Sequence, residues 1–236
     1  MQRKSSPEEL REQFNRDVER FVNLEMGQTS TMDSKLAIDL IEKSIGALNP
    51  GALSMCDIGC GGGNFALRVL RQFPSIKVSL IDLSPNMLER AAQRIRDLQG
   101  NVVSITEGDI RSIELKESSF DIITAAAVLH HLRSREEWKN VMEKIYRSLK
   151  SGGTFWMWDL VRYEEKNLQA IQYERFSEYL LKQGGQEYQR MILERIDQSD
   201  TPESTAFIQR LLWQIGFREV DILHKNAVFA ALYARK

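Results

Sequence analysis

Cysteine is scarce in this chain, and the two that occur lie close together. Cys56 and Cys60 have three residues between them, whereas zinc sites and redox pairs usually have two. Two cysteines are also too few for a disulfide scaffold. We therefore predict buried thiols, no metal site and a reducing, cytoplasmic location.

Long apolar runs and an excess of charge of one sign are also missing. No run approaches the roughly 20 apolar residues that span a bilayer. The charged first residues, MQRKSSPEELREQF, lack the apolar core of a signal peptide. The 32 Lys and Arg residues nearly balance the 33 Asp and Glu residues. This balance argues against a membrane partner and against direct nucleic-acid binding.

The remaining composition is typical of a globular protein, with 42% hydrophobic and 28% charged residues. A chain of 236 residues suffices for one packed core with an elaboration. We therefore predict one domain overall.

From about residue 53, short apolar runs alternate with amphipathic helical segments. This β-α-β-α order predicts an α/β fold with a doubly wound, mostly parallel sheet. Only a short turn joins the last two strands, which makes them an antiparallel C-terminal hairpin. The seven predicted strands are 53–58, 77–81, 101–106, 120–127, 154–161, 220–223 and 228–233.

Several sequence signals mark where helices begin. Ser6 and Ser134 each start a capping box, with a glutamate three residues later. Ser84-Pro85 and Thr201-Pro202 are further start signals, and Gly216 closes the last helix.

Two segments lie outside the alternating order. We predict that residues 1–50 form an N-terminal helical cap and that residues 162–200 form a helical insertion, or lid, broken at Gly184-Gly185. Residues 51–161 form the binding core, and residues 201–236 supply the last helix and the hairpin. The apolar stripe of the first helix is Leu10, Phe14, Val18, Phe21 and Met26. The predicted apolar face of the insertion carries Ile171, Phe176, Tyr179, Leu180, Tyr188, Met191, Ile192 and Ile196.

The sharpest motif is a glycine loop, DIGCGGGN, that starts at Asp57, after a strand and before a helix. Glycines there allow a tight turn and a close approach of the backbone to a ligand. Asp82 ends the next strand, where an acid can accept hydrogen bonds from ribose hydroxyls. Asp109 follows the third strand, within reach of an adenine amino group. Three such features at the carboxyl ends of successive strands predict a nucleoside site.

These motifs resemble those of class I S-adenosylmethionine-dependent methyltransferases. The likeness covers residues 53–161 and includes FD and VLHHL around the fourth strand and LKSGG before the fifth. It implies a Rossmann-like methyltransferase fold and S-adenosylmethionine as the cofactor. Asn64 stands where a dinucleotide-binding fingerprint would have its third glycine, which weakens that alternative.

The resemblance also implies a set of cofactor-binding residues. The glycine loop would lie against the methionine part, Asp82 would bind ribose, and Asp109 with Ile110 would flank adenine. Leu83 and Met87 would pack near the adenine ring. The full set is Asp57, Gly59, Cys60, Gly61, Asp82, Leu83, Met87, Asp109, Ile110 and Ala126.

Methyl transfer from a sulfonium needs alignment and exclusion of water, and a general base is optional. His130 and His131, after the fourth strand, are candidate catalytic residues. Asp159, near the end of the fifth strand, is a third. Each also has a purely structural interpretation. The histidines would then be buried with internal hydrogen bonds, and Asp159 would cap a loop.

The tail from residue 187 onward is similar to that of carboxy-S-adenosylmethionine synthases, which belong to the same superfamily and act in tRNA modification. That likeness implies that Arg190 pairs with the extra carboxylate of a carboxylated cofactor. The alternative interpretation is a solvated arginine on a helix.

The sequence thus favours a methyltransferase with a small-molecule substrate, and it leaves a homodimer open. One alternative is a carboxy-S-adenosylmethionine synthase-like enzyme. Another is a non-catalytic nucleoside-binding module, which loss of Asp82 or of the loop glycines would have favoured.

Overall fold

The computed structural model describes residues 3–22 and 29–236, apart from the side chains of Arg20 and Phe21. Met26 and the side chain of Phe21, both in the predicted apolar stripe, therefore lie outside the described residues. The strands are β1 Ser54–Ile58, β2 Lys77–Asp82, β3 Asn101–Glu107, β4 Phe120–Ala126, β5 Leu149–Leu160, β6 Glu219–Asn226 and β7 Phe229–Arg235.

These strands form one sheet in the order β3-β2-β1-β4-β5-β7-β6. The first five strands run parallel, whereas β7 runs antiparallel to both β5 and β6. The predicted doubly wound sheet with an antiparallel C-terminal hairpin is confirmed.

Helices cover both faces of the sheet. The described helices are α1 Pro7–Arg16, α2 Val18–Val22, α3 Ser34–Leu48, α4 Asn64–Gln72, α5 Pro85–Asp97, α6 Arg135–Ser148, α7 Lys166–Ser199 and α8 Thr205–Ile215, with a 3₁₀ turn at Leu129–His131. None of them combines the length and the hydropathy that crossing a bilayer requires.

The sheet separates two apolar layers, because successive side chains of a strand point to opposite faces. Met55 of β1 packs in the layer that includes α3, α4 and α5. Its neighbour Cys56 packs in the layer that includes α6 and α8. Both residues are fully buried, which explains why β1 is apolar on both sides.

The strand order reverses direction at β1, which pairs with β2 on one side and with β4 on the other. Chain connections diverge at such a reversal, and a crevice opens at the carboxyl ends of the two strands. The glycine loop leaves β1 at this point, so the topology places it in the crevice.

The predicted helix starts are only partly confirmed. Ser6 forms the complete capping box: its hydroxyl accepts the Glu9 N–H, and the Glu9 carboxylate accepts the Ser6 N–H at 2.7 Å. Ser134 caps α6 through the Glu137 N–H, but the Glu137 carboxylate accepts the Arg133 N–H instead. The predicted reciprocal bond at Ser134 is therefore wrong.

Two predicted helices differ in extent. The first is interrupted at Asp17, whose N–H closes α1 by bonding to the carbonyls of Gln13 and Phe14. The last begins at Thr205 and not at Thr201-Pro202, because the Ser204 hydroxyl accepts the Phe207 N–H at 3.0 Å. Gly216 closes α8 in a left-handed conformation, as predicted.

The insertion folds as a helical hairpin. Gly185 breaks α7 with φ 76°, ψ −174°, which separates the arms 166–184 and 186–199. Phe176 and Ile192, one from each arm, are buried against the sheet layer. Ile171 and Met191 are 57% and 42% exposed, so their predicted places on the buried face are wrong. Only a narrow stripe of each arm faces the core, and these two side chains project outside it.

Candidate functional site

The crevice at the carboxyl edge of the sheet contains a cavity of about 210 Å³. We call it the glycine-loop cavity. All ten residues that the resemblance implied as cofactor-binding line this one cavity, from the loop after β1 to Ala126 at the end of β4. The structure therefore brings the predicted set together, while the contact of each residue with a cofactor stays a prediction.

The glycine loop needs its glycines at two positions for different reasons. Gly59 has φ +63°, and a Cβ there would lie 2.5 Å from the Val128 side chain. Gly61 has φ +50°, and a Cβ there would meet no atom within 4 Å, because the residue faces the open cavity. Gly61 thus presents bare backbone to whatever occupies this space.

Asp82 fastens the loop to the end of β2. Its two carboxylate oxygens accept the Gly61 N–H at 2.8 Å and the Ser84 N–H at 2.9 Å. Burial raises the pKa of Asp82, although these backbone donors oppose the shift. Each oxygen keeps a second lone pair, which can accept a hydrogen bond from a hydroxyl in the cavity.

Asp57 lies deeper, at the base of the loop. One carboxylate oxygen accepts the Thr124 hydroxyl at 2.7 Å, and the other accepts the Ala66 N–H at 3.3 Å. Burial raises the pKa of Asp57 to about 7. A positive charge in the cavity would therefore favour the ionised form of this carboxyl group.

Asp109 is held by its neighbour Arg111. The Arg111 Nε lies 3.0 and 2.9 Å from the two Asp109 oxygens. Burial alone would raise the pKa of Asp109, but the Arg111 hydrogen bonds outweigh it and lower the pKa. Both oxygens are thus engaged by Arg111 at the cavity wall.

Lys144 of α6 supports this loop from behind and was missed by the sequence reasoning. The side chain is buried and donates to the carbonyl oxygens of Ile110, at 2.8 Å, and of Arg111, at 3.3 Å, and also to that of Ile113. No local pattern distinguishes it from other lysines on amphipathic helices, so only the tertiary contact reveals it.

A second cavity, of about 150 Å³, adjoins the first. We call it the histidine cavity, because His130 and His131 line it together with Asp159 and Asp200. The two cavities share a wall of residues from α1, the segment after residue 28, and the ends of β4 and β5. The shared residues are Leu10, Phe14, Thr31, Ala127, His131 and Trp158.

His130 lies between two carboxylates. Its Nδ1 contacts the carboxylate of Asp159, whose other oxygen accepts the Leu129 N–H at 2.7 Å. Its Nε2 is 3.5 Å from an oxygen of Asp200. Burial favours the neutral ring, but Asp200 and Asp159 outweigh it and raise the pKa of His130 to about 9. Asp200 was not among the sequence candidates.

His131 packs against the ring of His130, with centroids 4.2 Å apart. Its Nδ1 lies 3.2 Å from the Ser199 carbonyl oxygen and 3.4 Å from the same Asp200 oxygen. Burial, together with His130, holds the pKa of His131 well below its usual value. Of the three catalytic candidates, His131 alone lines both cavities.

Arg190 does not reach either cavity. Its side chain is 72% exposed, and its Nε lies 4.0 Å from Glu194 one turn along α7. Arg195 of the same arm lines the histidine cavity instead and lies 3.7 Å from Asp17. The thiols of Cys56 and Cys60 are buried and unpaired, as predicted.

The residues present fit S-adenosylmethionine. Gly61 leaves space that a Cβ would fill, Asp82 offers lone pairs for ribose, and Leu83, Met87 and Ile110 provide apolar surface for an adenine ring. The fold and this site together define a Rossmann-like domain with a candidate nucleoside site.

The comparisons with known proteins agree with this class. Residues 55–153 match the family model described as a methyltransferase domain. Malonyl-[acyl-carrier protein] O-methyltransferase of Paenibacillus sp. (strain JDR-2) is 28% identical over 149 residues, which are 61% of this chain and 52% of that protein. This chain therefore spans about half the length of that relative.

A second relative matches along most of both chains. Carboxy-S-adenosyl-L-methionine synthase of Campylobacter jejuni subsp. doylei is 24% identical over 200 residues, 84% of this chain and 83% of that protein. The fold of human N-acetylserotonin methyltransferase, solved in complex with S-adenosylmethionine, is similar with a TM-score of 0.61 at 22% identity, over 98% of this chain and 56% of that one. This chain is therefore similar to class I S-adenosylmethionine-dependent methyltransferases and to carboxy-S-adenosylmethionine synthase, and its residues 55–153 match a methyltransferase domain.

Proposed function

We propose that this enzyme methylates a small-molecule acceptor that binds in the histidine cavity, while S-adenosylmethionine occupies the glycine-loop cavity. The observation that carries the proposal is the shared wall of the two cavities at Ala127, His131 and Trp158. A direct displacement requires the two reactants to meet in line across such a boundary.

In this arrangement each cofactor contact has a local cause. Asp82 accepts a ribose hydroxyl, and Gly61 leaves the backbone open to the methionine part. Asp57 becomes ionised beside the ammonium group of the cofactor, because a nearby positive charge favours the charged form of a buried acid. When bound, the cofactor supplies an activated methyl group, so the protein's contribution is mainly positioning and exclusion of water.

The size and lining of the histidine cavity support a small acceptor. A cavity of about 150 Å³ accommodates a benzene-sized molecule. Its walls combine apolar side chains, such as Ile192 and Phe229, with the imidazole of His131. We propose that His131 contacts the acceptor and that His130 and Asp159 position the His131 ring. The two buried thiols are compatible with the reducing cytoplasm, which we retain as the proposed location.

The carboxy-S-adenosylmethionine synthase activity is a second candidate, favoured by the match over 84% of this chain. The exposed position of Arg190 argues against the particular pairing that the resemblance implied, because a carboxylate in a buried site needs a cationic partner that faces it, and of Arg190 and Arg195 it is Arg195 that lines the histidine cavity. The methyltransferase activity therefore remains the conclusion.

The test is a screen of phenols, alcohols, amines and thiols with S-adenosylmethionine, in which mass spectrometry measures S-adenosylhomocysteine and a methylated product. A methylated acceptor supports the proposal. Formation of carboxy-S-adenosylmethionine in place of a methylated product supports the synthase instead.

A paired variant locates the acceptor. Ile196 lines only the histidine cavity, so Ile196→Trp should lower turnover about 100-fold or more by displacing the acceptor, with cofactor affinity nearly unchanged. Met191→Trp is the control, since Met191 lies on the same arm but is 42% exposed and lines neither cavity. Equal turnover in both variants would contradict the assignment of this cavity.

A further inference from the structure

Three side chains on the wall of the histidine cavity converge in a way that the methyl transfer itself does not require. His130, His131 and Asp200 each offer a ligand atom, and these atoms all lie within 4.8 Å of one another. We propose that they bind one divalent transition-metal ion, with Zn²⁺ as the best match. The proposal does not depend on the identity of the acceptor.

The two distances from Asp200 fit metal ligands better than hydrogen-bond partners. One Asp200 oxygen lies 3.5 Å from His130 Nε2 and 3.4 Å from His131 Nδ1. Hydrogen bonds between such atoms are usually about 2.7–3.2 Å long. Tetrahedral bonds of about 2.0–2.1 Å to zinc place neighbouring ligand atoms roughly 3.3–3.4 Å apart.

The Asp200 side chain is only 10% exposed and lies beside the two histidine rings. Its carboxylate oxygen is 3.5 Å from His130 Nε2 and 3.4 Å from His131 Nδ1, and both contacts are longer than usual hydrogen bonds. A buried carboxylate with such long contacts is only partly compensated, and a cation bound at closer range stabilises it.

The surrounding contacts orient the ligands as they do in known metal sites. Asp159 bonds to Nδ1 of His130, which directs Nε2 toward Asp200, in the pattern of a carboxylate–histidine–metal triad. Arg133 holds the chain on both sides of Asp200 through the Ser199 carbonyl at 2.6 Å and the Thr201 hydroxyl at 3.0 Å.

Charge and ligand type narrow the choice of ion. The carboxylates of Asp159 and Asp200 together balance the two positive charges of the ion. The nearby guanidinium of Arg133 has the opposite effect, because it repels a cation. Two imidazoles and one carboxylate are the donor set of open zinc sites, which keep a fourth position for water or substrate. Binding of the ion to His131 Nδ1 replaces the hydrogen bond between this atom and the Ser199 carbonyl. The carbonyl still accepts a hydrogen bond from Arg133. The fourth position would face the histidine cavity and accept an oxygen or nitrogen atom of a ligand there.

The experiment uses the full chain, freed of metal with a chelator and titrated with Co²⁺ as a spectroscopic substitute for Zn²⁺. We expect one ion per chain, with the visible absorption of a tetrahedral Co²⁺ site that Zn²⁺ bleaches. Asp200→Asn and His130→Gln should each weaken binding about 100-fold or more, since each removes a ligand. The control is His224→Gln, because His224 is the third of the three histidines and pairs with Asp33 away from this cavity.

One further measurement and one replacement variant keep the result decisive. Cofactor affinity by calorimetry should stay within about twofold in Asp200→Asn, which separates loss of the metal from loss of the cofactor site. If Asp200→Asn fails to fold, His130→Gln takes its place, because His130 lines the histidine cavity and not the glycine-loop cavity. Absence of stoichiometric Co²⁺ binding at millimolar metal, or binding that these ligand variants leave unchanged, would overturn the proposal. Neither result would affect the methyl-transfer test.

Discussion

The two adjoining cavities are built by different parts of the chain. The glycine-loop cavity takes its predicted cofactor contacts from segments that follow consecutive parallel strands, between Asp57 and Ala126. The histidine cavity draws on α1, the end of β4, the end of β5, the second arm of α7 and Phe229. The first cavity thus belongs mainly to the sheet edge, although Leu10, Phe14 and Thr31 of the cap also line it. The second exists only where the cap and the insertion meet that edge.

This difference separates what the fold shares with relatives from what specialises it. In open α/β sheets, ligands bind in the crevice at the carboxyl ends of the strands where the strand order reverses. The cap and insertion are attached to the sheet edge, and under the proposed function they select the acceptor that reaches the methyl group. Variants in the two cavities should therefore affect cofactor binding and turnover separately.

The largest expected effect is in the glycine loop. Gly61→Val should abolish S-adenosylmethionine binding, because the branched side chain fills the open space beside the loop. Calorimetry measures the affinity, and thermal unfolding checks the fold. Gly152→Val is the matched control, since Gly152 also has positive φ, +76°, and open space around its Cβ, but lies outside both cavities. Normal binding by a folded Gly61→Val variant would place the ligand elsewhere.

The next effect concerns Asp82. Asp82→Ala should weaken S-adenosylmethionine binding by about 1.5–3 kcal/mol, the size expected for hydrogen bonds to a charged group, and should also release the Gly61 N–H. Calorimetry gives the difference.

Asp121 provides the comparison for that variant. Asp121 likewise accepts two backbone N–H groups, those of Leu53 and Ser54 at 3.0 Å, but beside the start of β1. Asp121→Ala should lower the free energy of unfolding without changing cofactor affinity. A similar loss of affinity in both variants would mean that Asp82 acts only through stability.

A smaller effect concerns the cap. Leu10 and Phe14 line both cavities, and the N–H of Ser5 bonds to the carbonyl of Gln198 at 2.9 Å, so α1 is tied to the second arm of α7. With saturating S-adenosylhomocysteine, hydrogen exchange in residues 7–16 and 186–199 should slow by about tenfold. Residues 219–226 of β6 are the internal reference. Unchanged exchange in all three segments would mean that the cap and insertion are not a lid.

The smallest effect is expected at Arg190. Because its side chain is 72% exposed, Arg190→Ala should leave S-adenosylmethionine affinity unchanged. The same calorimetric titration with carboxy-S-adenosylmethionine distinguishes the two activities. A selective loss of affinity for the carboxylated ligand would favour the synthase and refute the exposed position.

The sequence predicted the sheet and the glycine-loop cavity well, because both depend on local patterns. Strand and helix alternate along the chain, the loop and Asp109 come just after strands, and Asp82 ends one. Topology then brings them to one edge.

The histidine cavity was not predictable in the same way. Asp200 and His130 are far apart in sequence, and their approach depends on how α7 packs. Ile171 and Met191 have the hydropathy of core residues, yet the narrow stripe that each arm buries excludes them. The engagement of Asp109 by Arg111, and the support from Lys144, likewise depend on side-chain geometry that spacing does not encode.

The most direct measurement is a crystal structure with S-adenosylhomocysteine. We predict adenine between Leu83 and Ile110, ribose on Asp82, and the sulfur at the boundary formed by Ala127 and Trp158, facing His131. A sulfur that points away from the histidine cavity, or a ligand bound outside the glycine-loop cavity, would contradict this prediction.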